Sequence, residues 1–232
     1  MKFNWDKMEK IGEGGEKEVY LHPEFPEKKV VSRLKEGGWN DASSERKIKA
    51  RFYLTKVLHL LLPKNIPDVH LAIHGKDKVL VSERKKMDKE HRALAEDTIL
   101  KFESPHKSKR VVSPEDLRAR LGKNLSQDDE VKRIERVFRD LGVAFDPSEV
   151  NFGYDEDGNM IYIDNSFNPW YAPPRGVTKP TFEAWFNEEK LLVAIRSLVG
   201  REQERALKYL ERLKKLTQEE REAIEKNSTQ KK

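Results

Sequence analysis

The sequence predicts an α+β fold in which a five-stranded sheet precedes a mostly helical part. Short apolar runs bounded by glycine and proline fill much of residues 1–86. After residue 86 the apolar residues recur mainly at helical spacing, with one pair of short strands among them. Strands gathered in one part of a chain and helices in the other are typical of α+β architecture.

The first part, residues 1–86, contains five predicted strands and one long helix. The strands are predicted at 8–11, 17–21, 29–35, 69–73 and 78–82. The helix is predicted from Ser43 to about Leu62, between the third and fourth strands, and Pro63 ends it.

The second part, residues 87–226, is predicted to be helical with an embedded hairpin. Helices are predicted after the caps Ser113 and Ser126, the latter ending at Gly142, then at 182–199, at 201–216 and after Thr217. The hairpin strands are predicted at 150–154 and 160–163, because an Asp-Gly turn separates two apolar runs. A proline-rich loop at 168–180 and a disordered tail at 227–232 complete the prediction.

Composition narrows the class of protein. The 232 residues are 36% hydrophobic and 38% charged, which allows a buried core beneath a highly charged surface. A net charge of +5 is only a mild excess, so it does not indicate a dedicated nucleic-acid binder. The absence of cysteine excludes disulfides, thiolate metal sites and cysteine nucleophiles. Without a long apolar run or a signal-peptide pattern, we expect a cytoplasmic protein that has no membrane partner.

Two segments carry residues suited to nucleotide chemistry. The first is the turn 11–19, with the sequence Ile-Gly-Glu-Gly-Gly-Glu-Lys-Glu-Val. A backbone that approaches phosphates closely and presents amide hydrogens needs glycine. The second comprises Asp146, Asn151 and Asp164, which lie around the predicted hairpin. Their carboxylate and amide oxygens are the ligands that a hard cation prefers.

These segments, together with the strand order and the position of the long helix, resemble the protein-kinase-like superfamily, which includes small-molecule kinases related to aminoglycoside phosphotransferases. The resemblance covers roughly residues 8–195. It implies a two-lobed protein-kinase-like fold, with a small five-stranded N-lobe and a mainly helical C-lobe, that binds ATP and Mg²⁺ between the lobes. It also implies phosphoryl transfer to a hydroxyl-bearing substrate, either a small molecule or a protein.

The resemblance gives each residue of the triplet a role. Asp146 would orient the attacking hydroxyl and take up its proton, while Asn151 and Asp164 would bind Mg²⁺. The chain departs from the family here, since Ala-Phe precedes Asp146 instead of His-Arg and Asn-Ser follows Asp164 instead of Phe-Gly. The alternative is an Asx turn at Asp146 and a polar hairpin end at the other two residues.

In the glycine-rich turn, two glycines match the positions that the family places beside the phosphates, a third glycine adjoins them, and one valine matches the residue that covers the base. These residues are Gly12, Gly14, Gly15 and Val19. Lys17 stands where the family has its third glycine. The alternative is an ordinary hairpin turn without a ligand.

The resemblance also implies a cation on the third strand, paired with a glutamate of the following helix. We favour Arg33 for this cation, because Val31 would then form the apolar floor beneath adenine; Lys35 is the other register. Glu45 is the candidate partner. The alternatives are a solvated basic edge strand and a glutamate that only complements the helix dipole.

Two other functions stay open on the sequence alone. One is a pseudokinase, meaning a catalytically weak module that binds nucleotide or serves as a scaffold. The other is a basic nucleic-acid-binding protein. The basic clusters at 84–86 and 107–110 lack interleaved aromatic residues, which favours a solvated surface over nucleic acid as a partner.

Overall fold

The computed structural model describes residues 3–14, 16–35, 44–74, 77–85, 136–144, 152–155, 159–162, 167–171 and 182–229. Within these ranges the chain is α+β, as predicted. A five-stranded antiparallel sheet has the strand order β1-β2-β3-β5-β4. Its strands are β1 (Lys10–Glu13), β2 (Lys17–Leu21), β3 (Lys29–Leu34), β4 (Val69–His74) and β5 (Asp77–Glu83). All five predicted strands of the first part are therefore confirmed.

The two faces of this sheet are covered by different parts of the chain. Because strand side chains alternate, Leu34 and Leu80 point to one face and Val31 and Val79 to the other. The first face packs on the long helix α1 (Glu45–Leu61) through Ile48. The second face is covered by Phe3 and by the residues around the short 3₁₀ helix Trp5–Lys7. Which face a β3 residue occupies therefore decides whether it can meet α1.

Helix α1 belongs to two hydrophobic clusters. Ser44 caps it, since its Oγ accepts a hydrogen bond from the backbone nitrogen of Lys47 at 3.3 Å. Ile48 packs into the sheet cluster, whereas Leu54 and Leu58 are fully buried in a larger cluster with the second part of the chain. Helix α1 thus packs against both the sheet and the helices.

The second part contains three helical segments and two short strand pairs among its described residues. The helices are α2 (136–141), α3 (Glu188–Ile195) and α4 (Gly200–Thr229), and the strands are β6 (Phe152–Tyr154), β7 (Met160–Tyr162), β8 (Trp170–Tyr171) and β9 (Glu183–Ala184). Antiparallel pairing of β6 with β7 confirms the predicted hairpin. The predicted helix 182–199 begins only at Glu188, because Glu183–Ala184 pairs with β8, inside the predicted loop.

A single helix, α4, replaces the two helices predicted from residue 201 onwards. The capping prediction at Thr217 is wrong, because its hydroxyl donates to the carbonyl of Leu213 at 2.8 Å. This bond to the residue four positions earlier satisfies the hydroxyl inside a continuous helix. Disorder was predicted for residues 227–232, but α4 continues to Thr229, so the prediction is wrong for residues 227–229.

The hairpin β6–β7 is attached to the chain that follows α1. The Nδ2 of Asn65 donates to the carbonyl of Met160 at 2.7 Å, and the nitrogen of Tyr162 donates to the carbonyl of Asn65 at 2.8 Å. Tyr162 also stacks on Phe167, with ring centroids 5.1 Å apart. These contacts fix the hairpin and the chain beyond it relative to α1.

Candidate functional site

The predicted triplet Asp146, Asn151 and Asp164 lies outside the described residues, as does Gly15. The structure does place the residues that flank the triplet. Phe152, which follows Asn151, pairs with Tyr162, two residues before Asp164.

Two further flanking segments are joined through Trp185. The backbone nitrogen of Ala144, two residues before Asp146, donates to the carbonyl of Trp185 at 2.8 Å. The nitrogen of Trp185 in turn donates to the carbonyl of Pro169 at 2.9 Å. The chain shortly before Asp146 is therefore tied to the chain shortly after Asp164.

The glycine-rich turn closes the β1–β2 hairpin. The backbone nitrogen of Gly14 donates to the carbonyl of Lys17 at 2.9 Å. Gly12 lies against Val19, because a Cβ built on Gly12 would be 3.8 Å from the Cβ of Val19. Val19 pairs with Ser32 on the face that α1 covers. The predicted base-covering residue and Gly12 thus lie on the α1 side of the sheet.

The acidic side chain of this turn reaches two distant segments. Arg51 of α1 donates from Nη2 to Oε2 of Glu16 at 2.6 Å, and Asn168 donates from Nδ2 to both carboxylate oxygens at 3.1 Å. Arg51 also donates to Oδ1 of Asn168. This Glu16–Arg51–Asn168 cluster joins the glycine-rich turn, α1 and the segment that begins three residues after Asp164.

Buried positive charge keeps Glu16 ionised. Burial by itself raises the pKa of the Glu16 carboxyl. The charge of Arg51 and the hydrogen bonds from Arg51 and Asn168 outweigh this, and the charge of Lys47 adds to them, so the pKa lies below its ordinary value. The carboxylate is therefore negative at neutral pH.

Val31 and Arg33 lie on the sheet face away from α1. Val31 is fully buried beside Phe3 and Val79, so it is core of the second face. Arg33 lies over the ring of Trp5, with 5.1 Å from Cζ to the ring centroid, and is 4.0 Å from the Glu18 carboxylate. These contacts do not support the adenine floor and the phosphate cation predicted for them.

Glu45 and Lys35 each form an ion pair, but not with the partner that the resemblance implies. Glu45 pairs with Lys49 on the same helix at 2.6 Å, and both side chains are exposed. Lys35, which directly follows β3, donates to Glu13 of β1 at 2.6 Å. The structure therefore does not bring Arg33 together with Glu45 in the predicted ion pair.

Other cations lie on the α1 side of the sheet, and the sequence alone did not single them out as candidates to contact phosphate. Lys17 pairs in register with Leu34 and so shares the α1 face of the sheet. Lys47 and Arg51 are buried and lie one turn apart on α1. The available signal was the pair of cations at positions i and i+4 among the apolar positions of a long helix.

No protein-family model matches the chain, and no curated protein matches it either. Within the described ranges, His, Asp and Glu side chains form no group of three that could hold a metal ion. No helix in the same ranges has an apolar stretch long enough to cross a bilayer. The local geometry is therefore the basis for assigning a function.

Proposed function

We propose that the protein is an ATP- and Mg²⁺-dependent phosphotransferase of the protein-kinase-like type, which acts on a hydroxyl-bearing substrate. The fold expected with this function is two-lobed, with the nucleotide between the α1 side of the sheet and the helical part. A cytoplasmic location and a nucleotide partner belong to the same proposal.

One observation supports the proposal above the others. Glu16 connects the glycine-rich turn with α1 and with Asn168, four residues after Asp164. The turn is a candidate nucleotide-binding segment, α1 carries the candidate Glu45, and Asn168 closely follows the candidate Asp164, although the three are far apart in the sequence. Convergence of separate candidate segments is expected at a functional site more than in a chance arrangement.

Each proposed role follows from the chemistry of the side chain. Asp146 orients the acceptor hydroxyl and takes up its proton, and Gly12, Gly14 and Gly15 present backbone amides to the phosphates. The oxygens of Asn151 and Asp164 suit Mg²⁺, and Phe152, which follows Asn151, pairs with Tyr162, which precedes Asp164 by two residues. Bound Mg²⁺ would neutralise charge on the phosphates.

A second candidate function is nucleotide binding without efficient turnover. On β3 the side chains that share the face of α1 include Ser32 and Leu34, which carry no charge. A phosphotransferase of this type uses a strand cation at this side to hold the phosphates. The uncharged β3 positions favour a weak enzyme or a nucleotide-binding scaffold.

Calorimetry of Mg-ATP binding tests the proposal on the wild type and on Asp164→Ala. We expect a dissociation constant in roughly the micromolar range for the wild type, and a loss of at least tenfold in the variant, because a metal ligand is removed. Asp155→Ala is the matched control, since Asp155 lies in the hairpin turn and bonds Asn159. No heat of binding in the folded wild type would refute the proposal, and binding without phosphate transfer would favour the scaffold.

A further inference from the structure

Two cations are buried one turn apart on α1, under the glycine-rich turn. The exposed fraction is 2% for Lys47 and 0% for Arg51. Positions i and i+4 lie on the same side of a helix, so both charges are directed to one region. Burial of a charge is strongly unfavourable unless an anion neutralises it. This region is therefore suited to a negative group.

The protein places its own carboxylate there. Glu16 accepts from Arg51 at 2.6 Å, and its side chain is 36% exposed, so solvent reaches one side of the ion pair. A guanidinium binds carboxylate and phosphate oxygens with the same planar arrangement of donors. A phosphate that entered from the solvent side would meet the donors that now hold Glu16.

The hairpin that carries Glu16 is more exposed than α1, although the carbonyl of Glu16 accepts from the backbone nitrogen of Lys35 at 2.9 Å. In β1, Lys10, Ile11 and Glu13 are exposed, and Gly14 is exposed at the start of the turn. α1, in contrast, is fixed by both hydrophobic clusters. If the ion pair opens, the partly exposed side chain of Glu16 is therefore the partner that can turn to solvent, while Arg51 and Lys47 stay on the packed helix.

We propose that Arg51 and Lys47 form a phosphate-binding site that Glu16 occupies in the free protein, and that the phosphates of a nucleotide displace this carboxylate. Glu16 is then an internal competitor of the ligand. The inference rests on the proposed function for the nature of the ligand, although the site itself is defined by α1 and the turn.

The experiment compares Glu16→Gln with a matched variant of the same hairpin, Glu13→Gln. Both changes remove one negative charge, but Glu13 is exposed and its partners are Lys10 and Lys35. Hydrogen bonds from Lys10 and Lys35 lower the pKa of Glu13 to about 2, so it is ionised like Glu16. Binding of Mg-ATP and of sodium tripolyphosphate is measured by calorimetry, with a thermal melt to confirm folding.

We expect Glu16→Gln to tighten the binding of both probes by roughly tenfold, since a charge-assisted hydrogen bond no longer competes. Glu13→Gln should change either affinity by less than about twofold, because exposed charges are screened. Arg51→Lys should weaken both probes by roughly tenfold, because it loses the planar pair of donors. If Arg51→Lys does not fold, the two glutamate variants alone decide the result.

The failure of the inference can be told from the failure of the proposed function. Unchanged affinities in folded Glu16→Gln would overturn the inference and leave a structural ion pair, even where the wild type binds Mg-ATP. Tighter tripolyphosphate binding in Glu16→Gln, without ATP binding in any variant, would support the anion site and refute the phosphotransferase. Absence of binding by both probes in every folded variant would overturn both.

Discussion

His22 holds the turn between β2 and β3 through an acceptor nitrogen. The residue is 5% exposed, and its Nδ1 accepts from the backbone nitrogens of Glu24 and Phe25 at 3.2 Å each. A ring nitrogen accepts hydrogen bonds only when it carries no proton, so the neutral imidazole is the form that fits. Burial lowers the pKa of His22, and the charge of Lys29 lowers it further.

We expect this histidine to make the protein less stable in mild acid. The folded protein binds fewer protons at His22 than the unfolded chain does, so stability falls as the pH drops below about 6.5, the ordinary histidine pKa. The loss should continue until the pH passes below the lowered pKa of the folded state. The free energy of unfolding in urea, measured from pH 8 to pH 5 (roughly the range in which histidine titrates), shows this slope.

The control for this prediction is His22→Asn. Its side-chain oxygen can accept from the same backbone nitrogens but does not titrate. The difference in slope between the two proteins isolates His22 from the other histidines. Equal slopes would contradict the role given to this ring.

The sheet face of Arg33 and the partners of Glu16 could not be predicted from residue patterns. The sequence predicted the glycine-rich turn and the β3 strand, and the resemblance gave Val31 and Arg33 related roles as adenine floor and phosphate cation. Alternation does not say which face a helix will cover, and a shift of one residue exchanges the two faces. Glu16 is one of three glutamates in the turn 11–19, and its partners Arg51 and Asn168 are remote in the sequence. Only the folded chain brings them together.

At the scale of elements, Gly142 lies where the end of α2 contacts the start of α3. Its φ of +65° lies in the left-handed region, which a glycine adopts without strain. A Cβ built here would be 2.6 Å from the Cβ of Asn187, the residue that caps α3 by accepting from the nitrogen of Lys190. The carbonyl of Gly142 also accepts from the nitrogen of Asn187 at 2.7 Å. One glycine therefore ends α2 and positions the start of α3.

Gly142→Ala should be more destabilising than the same change at Gly200. Gly200 has a φ of +56°, but a Cβ there would meet no atom within 4 Å. In both variants an alanine must adopt a left-handed φ, which costs roughly 1 kcal/mol. Only Gly142→Ala adds a clash with Asn187, so its total cost should be about 2–3 kcal/mol. Urea unfolding of the two variants measures the difference. Equal losses would show that the α2–α3 junction adapts without cost.

Elements with strong local signals were predicted well, and elements that depend on distant partners were not. The five strands and α1 have clear periodicity and turn residues, and the structure confirms them. β8 and β9 have two residues each and exist because they pair with each other across 11 intervening positions. Thr217 has the sequence of a cap, yet its place is decided by Leu210 and Leu213, which are buried against other helices. Tertiary packing outweighs a capping preference of about 1 kcal/mol.

At the scale of the whole molecule, α1 is the element that the sheet and the helices share. α4 packs along it with Ala206, Leu210 and Leu213 in the larger cluster, and Arg46 of α1 pairs with Glu220 of α4. Tyr53 and Tyr209 stack between the two helices, with ring centroids 6.0 Å apart. Because the Arg51 and Lys47 side chains belong to α1, packing of α4 also holds the proposed phosphate site in place.

This coupling predicts that damage to α4 weakens the sheet as well as the helices. Leu213 is fully buried, so Leu213→Ala should cost about 2–5 kcal/mol, whereas Leu207→Ala, at a position that is 39% exposed, should cost less than about 0.5 kcal/mol.

Urea unfolding is followed by far-ultraviolet circular dichroism and by the fluorescence of Trp5, with the other tryptophans replaced by phenylalanine in both variants and in their parent. Both signals should shift together in Leu213→Ala, since a shared α1 makes the transition cooperative. A Trp5 transition that stays at the parent's urea concentration while the helical signal moves would show that the sheet folds independently of α4.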